Sequence, residues 1–343
     1  MTDAILIDSA ERLFADLVTP QLLAAAERGA FPQAAWDAIA AAGLHLGLLP
    51  ETAGGFGVAP ADALGLLRVA GRHALPLPLA ETMLAGWLLT GAGIAVPDGP
   101  LTLTAARGLR LSRDGAGWHI AGTAAGVAWG RDAAAIVVLA EVDTVPHVAL
   151  LTGGYTIAEH GNIAREPRNT LAIDAVPDAV APSAFTPLDL RAAGAATRTL
   201  MIAGALERIT AMTTQYALDR TQFGRPIGRF QAVQHSLATL AAQTAAAIAA
   251  AGLAAESVAP AINLPAIAAA KARAAEAAGV GAGIAHQIHG AIGFTYEHSL
   301  HFHTKRLHAW RDEYGGEAEW NLVLGRHLAA RGADALWPSL TAI

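Results

Sequence analysis

Apolar residues recur at helical spacing at both ends of the chain and in short strand-like runs between them. Leu13, Leu17, Leu22 and Leu23 open the first periodic run, and 31–44, with Trp36 inside it, gives the second. The stretch 50–57 is a loop by its glycines, and 61–74 and 79–90 predict two further helices divided by Pro76 and Pro78. From 98 to about 185 the runs shorten and turn β-prone: 101–104, 109–111, 118–120, 134–140 and 147–151, with Gly, Asp and Pro between them. From Thr186 the pattern is helical to the end. Thr186-Pro187-Leu188-Asp189 offers a hydroxyl cap and a proline at the first helical position. That helix extends to about Arg220, with Leu206, Ile209, Met212 and Tyr216 on its apolar face, and others follow over about 229–256, 265–289, 298–310 and 316–330. The pattern predicts an α+β, mostly α chain: an N-terminal helical domain (1–97), a small central antiparallel β-domain (98–185) and a C-terminal four-helix bundle (186–343).

Composition narrows this picture. With 53% apolar and only 15% charged residues, much surface has to be buried, part of it between subunits. A net charge of -6 argues against a nucleic-acid surface. Without cysteine there is no disulfide and no thiolate metal site, which fits a reducing, cytoplasmic setting. The early acids of the N-terminus are unlike a secretory signal. The stretch 232–255 has no formal charge and is long enough to span a bilayer. Its alanines and its Gln234, His235, Ser236, Thr239, Gln243 and Thr244 favour a buried helix of a soluble bundle instead.

The densest chemistry lies in 216–231, YALDRTQFGRPIGRFQ. Gly224, Pro226 and Gly228 make it a turn between two helices. Arg220, Gln222 and Phe223 on such a turn can grip a planar anion, because a guanidinium fork matches phosphate. The spacing alone equally describes a helix hairpin with a solvated arginine at its tip. Of 13 histidines, His298, His301, His303 and His308 cluster without the acidic partner of a zinc-protease spacing, so they read as structural and no metal site is assigned. No G-x-G-x-x-G follows a strand into a helix. Trp310 reads as a core anchor beside a solvated charge run through Glu313, with Lys305, Arg306 and Arg311 as the alternative, a contact for phosphate or an acidic surface. Glu317 and Glu319 suit a helix N-terminus.

The string R-T-Q-F-G-R-P-I from Arg220, with Phe230-Gln231 after it, resembles the flavin-contacting signature of the acyl-CoA dehydrogenases. Gln287-Ile-His-Gly290-Ala291-Ile-Gly293-Phe resembles that family's Q-x-x-G-G-x-G-[FY] turn, and Pro50-Glu-Thr-Ala-Gly54-Gly55-Phe-Gly57 its N-terminal P-E-x-x-G-G-x-G turn. The resemblance covers most of the chain but is poor in the middle third. It implies a β-domain between two helical ones and an FAD-dependent oxidoreductase that desaturates an acyl-CoA thioester between its α and β carbons. It also implies cofactor contacts from Arg220, Gln222, Phe223, Gln231, Gln287, Gly290 and Ala291. In the family's dimers these turns reach across to the ADP half of the neighbour's flavin.

The departures carry as much information. The family's base is a glutamate in a Tyr-Glu-Gly-Thr string; here Tyr314 is followed by Gly315. The alternative base position, on the long helix, falls near Gly194 or Ala195. No catalytic residue is therefore assigned, and Glu207, three turns further along, reads as an ion-pair residue. No T-E-P-x-x-G-S-D loop occurs in 101–114. A second flavin strand matches 122–128 in register, with Gly126 for its aromatic and Ala128 for its hydroxyl; Trp129 supplies bulk but no hydroxyl. The resemblance thus implies a short, non-catalytic subunit that shares FAD with a second acyl-CoA dehydrogenase chain, as in steroid side-chain degradation, with an acyl-CoA as substrate. Small residues at 126, 128 and 315 leave room for a bulky acyl group. Two alternatives stay open: a self-sufficient dehydrogenase or related flavin monooxygenase with Asp312, Glu313 or Glu317 as displaced base, and a flavin-free helical scaffold.

Overall fold

The computed structural model describes residues 3–115 and 117–341. It divides into two compact units, one of residues up to Ala63 with Pro76–Ala193, the other of Leu64–Leu75 with the chain from Gly194 onward.

The first unit opens with α1 (Asp3–Leu17), α2 (Pro20–Glu27) and α3 (Gln33–Ala41), and includes the start of α4 (Pro60–Arg72) and all of α5 (Leu79–Gly91). Eight strands follow: β1 (Leu101–Thr104), β2 (Leu109–Asp114), β3 (Gly117–Ala128), β4 (Ala135–Val142), β5 (Val145–Leu151), β6 (Tyr155–Ala158), β7 (Arg168–Ala175) and β8 (Ala179–Pro182). They form two four-stranded sheets, ordered β1-β4-β5-β8 and β2-β3-β7-β6, antiparallel except for the β1–β4 pair. Leu111, Ile120, Val127 and Leu171 of one sheet share a core with Ile136, Val138, Ala149 and Leu151 of the other. β3 runs well past the short run its sequence predicts. Ala121, Gly122 and Ala124 carry little strand propensity, so pairing with β7 rather than local preference holds them extended. The ladder shifts register between Ala124 and Val127, where Gly126 takes a left-handed φ of 71°.

The second unit is built on α6 (Pro187–Asp219) from Gly194 onward, α7 (Gln231–Glu256), α8 (Leu264–His289), α9 (Leu300–Trp310) and α10 (Glu317–Arg331), followed by a short α11 (Leu336–Thr341). α6 begins as the sequence predicts. The Thr186 hydroxyl accepts from Asp189 N–H at 3.2 Å while the Asp189 carboxylate accepts from Thr186 N–H at 2.9 Å, a reciprocal cap. The end of α4 crosses α6 at two glycines. A β-carbon on Gly71 would overlap the Met201 carbonyl, and one on Gly204 would overlap the Arg68 carbonyl, so the backbones touch. Beside this crossing Glu207 accepts from Arg68 Nε at 2.7 Å and Arg72 Nε at 2.9 Å, which makes it an ion-pair residue.

α7 is, among the described residues, the one helix long and apolar enough by composition to cross a bilayer. The sequence pattern favoured burial, yet only 33% of its most apolar window is buried. Leu240, Ala247, Ala251 and Ala254 face the bundle while Gln231, Gln234, Ala238 and Thr239 face outward.

His303 is buried and donates from Nε2 to the Arg72 carbonyl at 3.0 Å. Burial pulls its pKa down to about 4, with Arg306 and Arg208 pushing the same way. Its folded pKa lies below the unfolded value, so the unfolded chain takes up the proton first as pH falls. Stability should be intact above the ordinary imidazole range and drain away between about pH 6.5 and 4, by roughly 3 kcal/mol at the lower end. Urea unfolding across that range should show a shallower acid loss in His303→Gln than in the natural protein.

Candidate functional site

Two exposed turns of the second unit gather the predicted cofactor residues. At the first, α6 ends with Arg220 N–H donating to the Tyr216 carbonyl at 2.9 Å. A two-stranded hairpin follows, Thr221–Gln222 paired with Arg225–Pro226, where the sequence predicted only a turn. Phe223 and Gly224 form its tip with φ of 51° and 78°, the doubly left-handed geometry of a tight hairpin. A phenylalanine in that conformation is strained by about 1 kcal/mol, and here it is 93% exposed. Arg225 lies over the Phe230 ring at 4.2 Å. Among the described residues the Arg220 guanidinium meets no acceptor, and the Gln222 and Gln231 amides have no partner; all three are exposed.

The second turn closes α8. Gln287 and Ala291 are exposed, and Gly290 has φ 64° with nothing within 4 Å of where a β-carbon would stand. A ring pile that the sequence did not reveal ties the two turns together. The Tyr216 ring stacks on His289 at 4.4 Å and 24°, and its hydroxyl donates to the His289 carbonyl at 3.3 Å. His298 packs on His289 at 4.7 Å. Periodicity alone had marked Tyr216, as a core residue.

The residues present suit the ADP half of a flavin dinucleotide: one guanidinium for a diphosphate, exposed amides, an exposed aromatic face and an open left-handed glycine whose backbone an anion could approach.

The two positions at which the resemblance would put a base turn out to be neighbours. Gly194 sits on α6, and the Tyr314 ring lies directly on it, so that a β-carbon at 194 would overlap the ring. Tyr314 is held with φ 57° and Gly315 with φ 106°. The Trp320 indole donates to the Tyr314 carbonyl at 3.2 Å, and the Arg198 guanidinium stands 5.5 Å from the Tyr314 ring centre. Glu313 is no solvated charge: it accepts from Arg198 Nε at 2.7 Å, and Arg198 is only 2% exposed. Beneath them Lys271 donates to the Trp310 and Arg311 carbonyls at 3.0 and 2.6 Å. Burial pulls the Lys271 pKa down to about 7, against the pull of Glu313. Arg306 is buried and donates to the Phe302 carbonyl, so it serves the core rather than a surface anion. Trp310 is the core anchor its sequence context suggests.

In the first unit, Trp129 has φ 56° and its indole is buried edge-on against Phe31 at 6.3 Å. The neighbouring Ala128 carbonyl accepts from the Thr102 hydroxyl. Among the described residues no three His, Asp or Glu side chains converge as a metal shell.

The model of the acyl-CoA dehydrogenase C-terminal domain matches residues 192–321. The chain is 32% identical over 265 residues to the acyl-CoA dehydrogenase IpdE2 of Mycolicibacterium smegmatis, covering 76% of each protein. Among solved structures it superposes on a Tcur3481-Tcur3483 steroid ACAD variant with a TM-score of 0.86 at 27% identity, over 96% of this chain and 98% of that one. It superposes on the ChsE4-ChsE5 complex of Mycobacterium tuberculosis with a TM-score of 0.84 at 24% identity, over the same shares. The second likeness is one of fold.

Proposed function

Since the chain belongs to the acyl-CoA dehydrogenase family, we propose that it is the non-catalytic half of a two-chain dehydrogenase that desaturates an acyl-CoA thioester. One observation carries this reading. Gly194 and Gly315 offer no carboxylate, the Tyr314 ring covers Gly194, and the nearby Glu313 is committed to Arg198, while the cofactor-facing turns stand open.

FAD, when bound, accepts the hydride leaving the β carbon of the acyl group. What this chain adds is a grip. Arg220 would neutralise the diphosphate, Gln222, Gln231 and Gln287 would hydrogen-bond the nucleotide, Phe223 would give a flat apolar face, and Gly290 and Ala291 would let backbone N–H groups approach phosphate. The proton α to the thioester would go to a base on a second acyl-CoA dehydrogenase-type subunit, which would also hold the flavin ring. A solved relative at 27% identity is named for a pair, Tcur3481-Tcur3483, and for steroid chemistry. This supports a paired assembly and a bulky, steroid-type acyl group; a cytoplasmic setting is part of the same proposal.

The test is co-expression with the dehydrogenase chain that co-purifies with this one. Arg220→Ala in the assembled pair should weaken FAD retention about 10- to 100-fold, the range of a charge-assisted contact, and leave the pair assembled. Stoichiometric FAD in the solitary chain, together with desaturation of an acyl-CoA by it, would overturn the proposal.

A further inference from the structure

His289 stands between the two turns, and its hydrogen bonding fixes its state. Nδ1 lies 2.8 Å from the Ala285 carbonyl, which can only accept, so Nδ1 carries the proton. Nε2 is buried and meets no hydrogen-bond partner among the described residues, so the ring is a neutral tautomer with a bare nitrogen. The groups that face it are Tyr216 from α6, His286 one turn back on α8 and His298 from the loop before α9. The 290–294 turn brings no titratable side chain. His298 accepts from Leu300 N–H at Nδ1, at 3.1 Å, so its own proton sits on Nε2. None of the charges acting on His289 is negative. A second proton on this ring would be a buried cation facing two other imidazoles with no acceptor to receive it.

The pile touches both turns at their roots. The Tyr216 carbonyl takes the last helical bond from Arg220, and His289 lies two residues after Gln287 and directly before Gly290. We propose that Tyr216, His289 and His298 form a clamp that sets the spacing of the two cofactor-facing turns, and that the clamp closes only while His289 is neutral. Tyr216 and His289 are thus positioning residues: they act through Arg220 and Gln287. The proposal rests on the reading of those turns as a nucleotide grip, but the clamp itself can be tested without any nucleotide. Burial lowers the pKa of both His289 and His298, which agrees in sign with a clamp intact at neutral pH and lost as pH falls.

Hydrogen exchange on the full chain alone, corrected for the intrinsic pH dependence of exchange, reads the clamp directly. Between about pH 7.5 and 5.5 the segments 216–231 and 286–294 should lose protection together, by about tenfold. His289→Phe keeps a stacked ring that cannot take up a proton, and should hold both segments protected across the range. Tyr216→Leu removes the stack and should raise exchange in both segments already at neutral pH. The clamp is overturned if His289→Phe and the natural chain lose protection at the same pH, or if Tyr216→Leu leaves 286–294 unchanged. In the FAD-loaded pair, acid release of flavin that His289→Phe abolishes is expected as well. If exchange behaves as stated while the pair holds no flavin at neutral pH, the clamp stands and the cofactor reading falls.

Discussion

Glu313→Ala should lower the unfolding free energy by about 3–5 kcal/mol, read as a shift of the urea midpoint. The change removes the carboxylate that Arg198 Nε meets at 2.7 Å and leaves the guanidinium charge where it is, 2% exposed. It also removes the stronger of the two negative charges, Glu313 and Asp312, that favour a proton on Lys271. The control is Arg198→Met with Glu313→Leu: with both charges replaced by apolar side chains, most of the lost stability should return. If the single variant unfolds like the natural chain, the pair is solvated and the account of the Tyr314 region is wrong. Arg198 lies one turn from Gly194 along α6, so a stability loss of this size would also mark the place where the Tyr314 ring covers Gly194 as a rigid part of the unit.

Gly204→Val should cost about 4 kcal/mol, near the top of what single substitutions do, because the new side chain meets backbone on the facing helix. The Arg68 carbonyl and the Arg72 amide stand against this glycine, and neither can rotate away as a side-chain tip would. To admit the valine, α4 and α6 must separate, and the contacts of Glu207 with Arg68 and Arg72 one turn further on go with them. Thermal unfolding measures the loss directly. A control at Gly252, where nothing lies within 4 Å of an added β-carbon, should be neutral or stabilising when changed to alanine, since alanine is the better helix former. An ordinary melting temperature for Gly204→Val would mean that the helices do not cross at the glycines.

These two sites show what the sequence could and could not reveal. The start of α6 was legible because a cap, a proline and an acid at fixed spacing act within one turn. The Arg220 turn was legible from Gly224, Pro226 and Gly228 between two long helical patterns, and the Gln287 turn through its resemblance to the family's motif. The Gly71–Gly204 crossing was hidden, because a lone glycine in a helical pattern reads as a local penalty until its facing partner is known. The same holds for Arg198 and Glu313, and for Gly194 and Tyr314: each pair is joined only by the fold. In the β-region, short apolar runs bounded by breakers marked β4 and β5, but not the alanine- and glycine-rich reach of β3, which the neighbouring strand holds in place. His298 was read with His301, His303 and His308 as one structural cluster, and its stack with Tyr216 and His289 emerged only when two helix ends came together.

The half-bare α7 has a cost inside a cell. A nearly uncharged rod with only a third of its most apolar stretch buried invites self-association in any copy made in excess. Such an orphan is also a natural client for chaperones and proteases. In the proposed pair, a second subunit laid on that face would take it out of water, and matched synthesis of the two chains would then keep it covered.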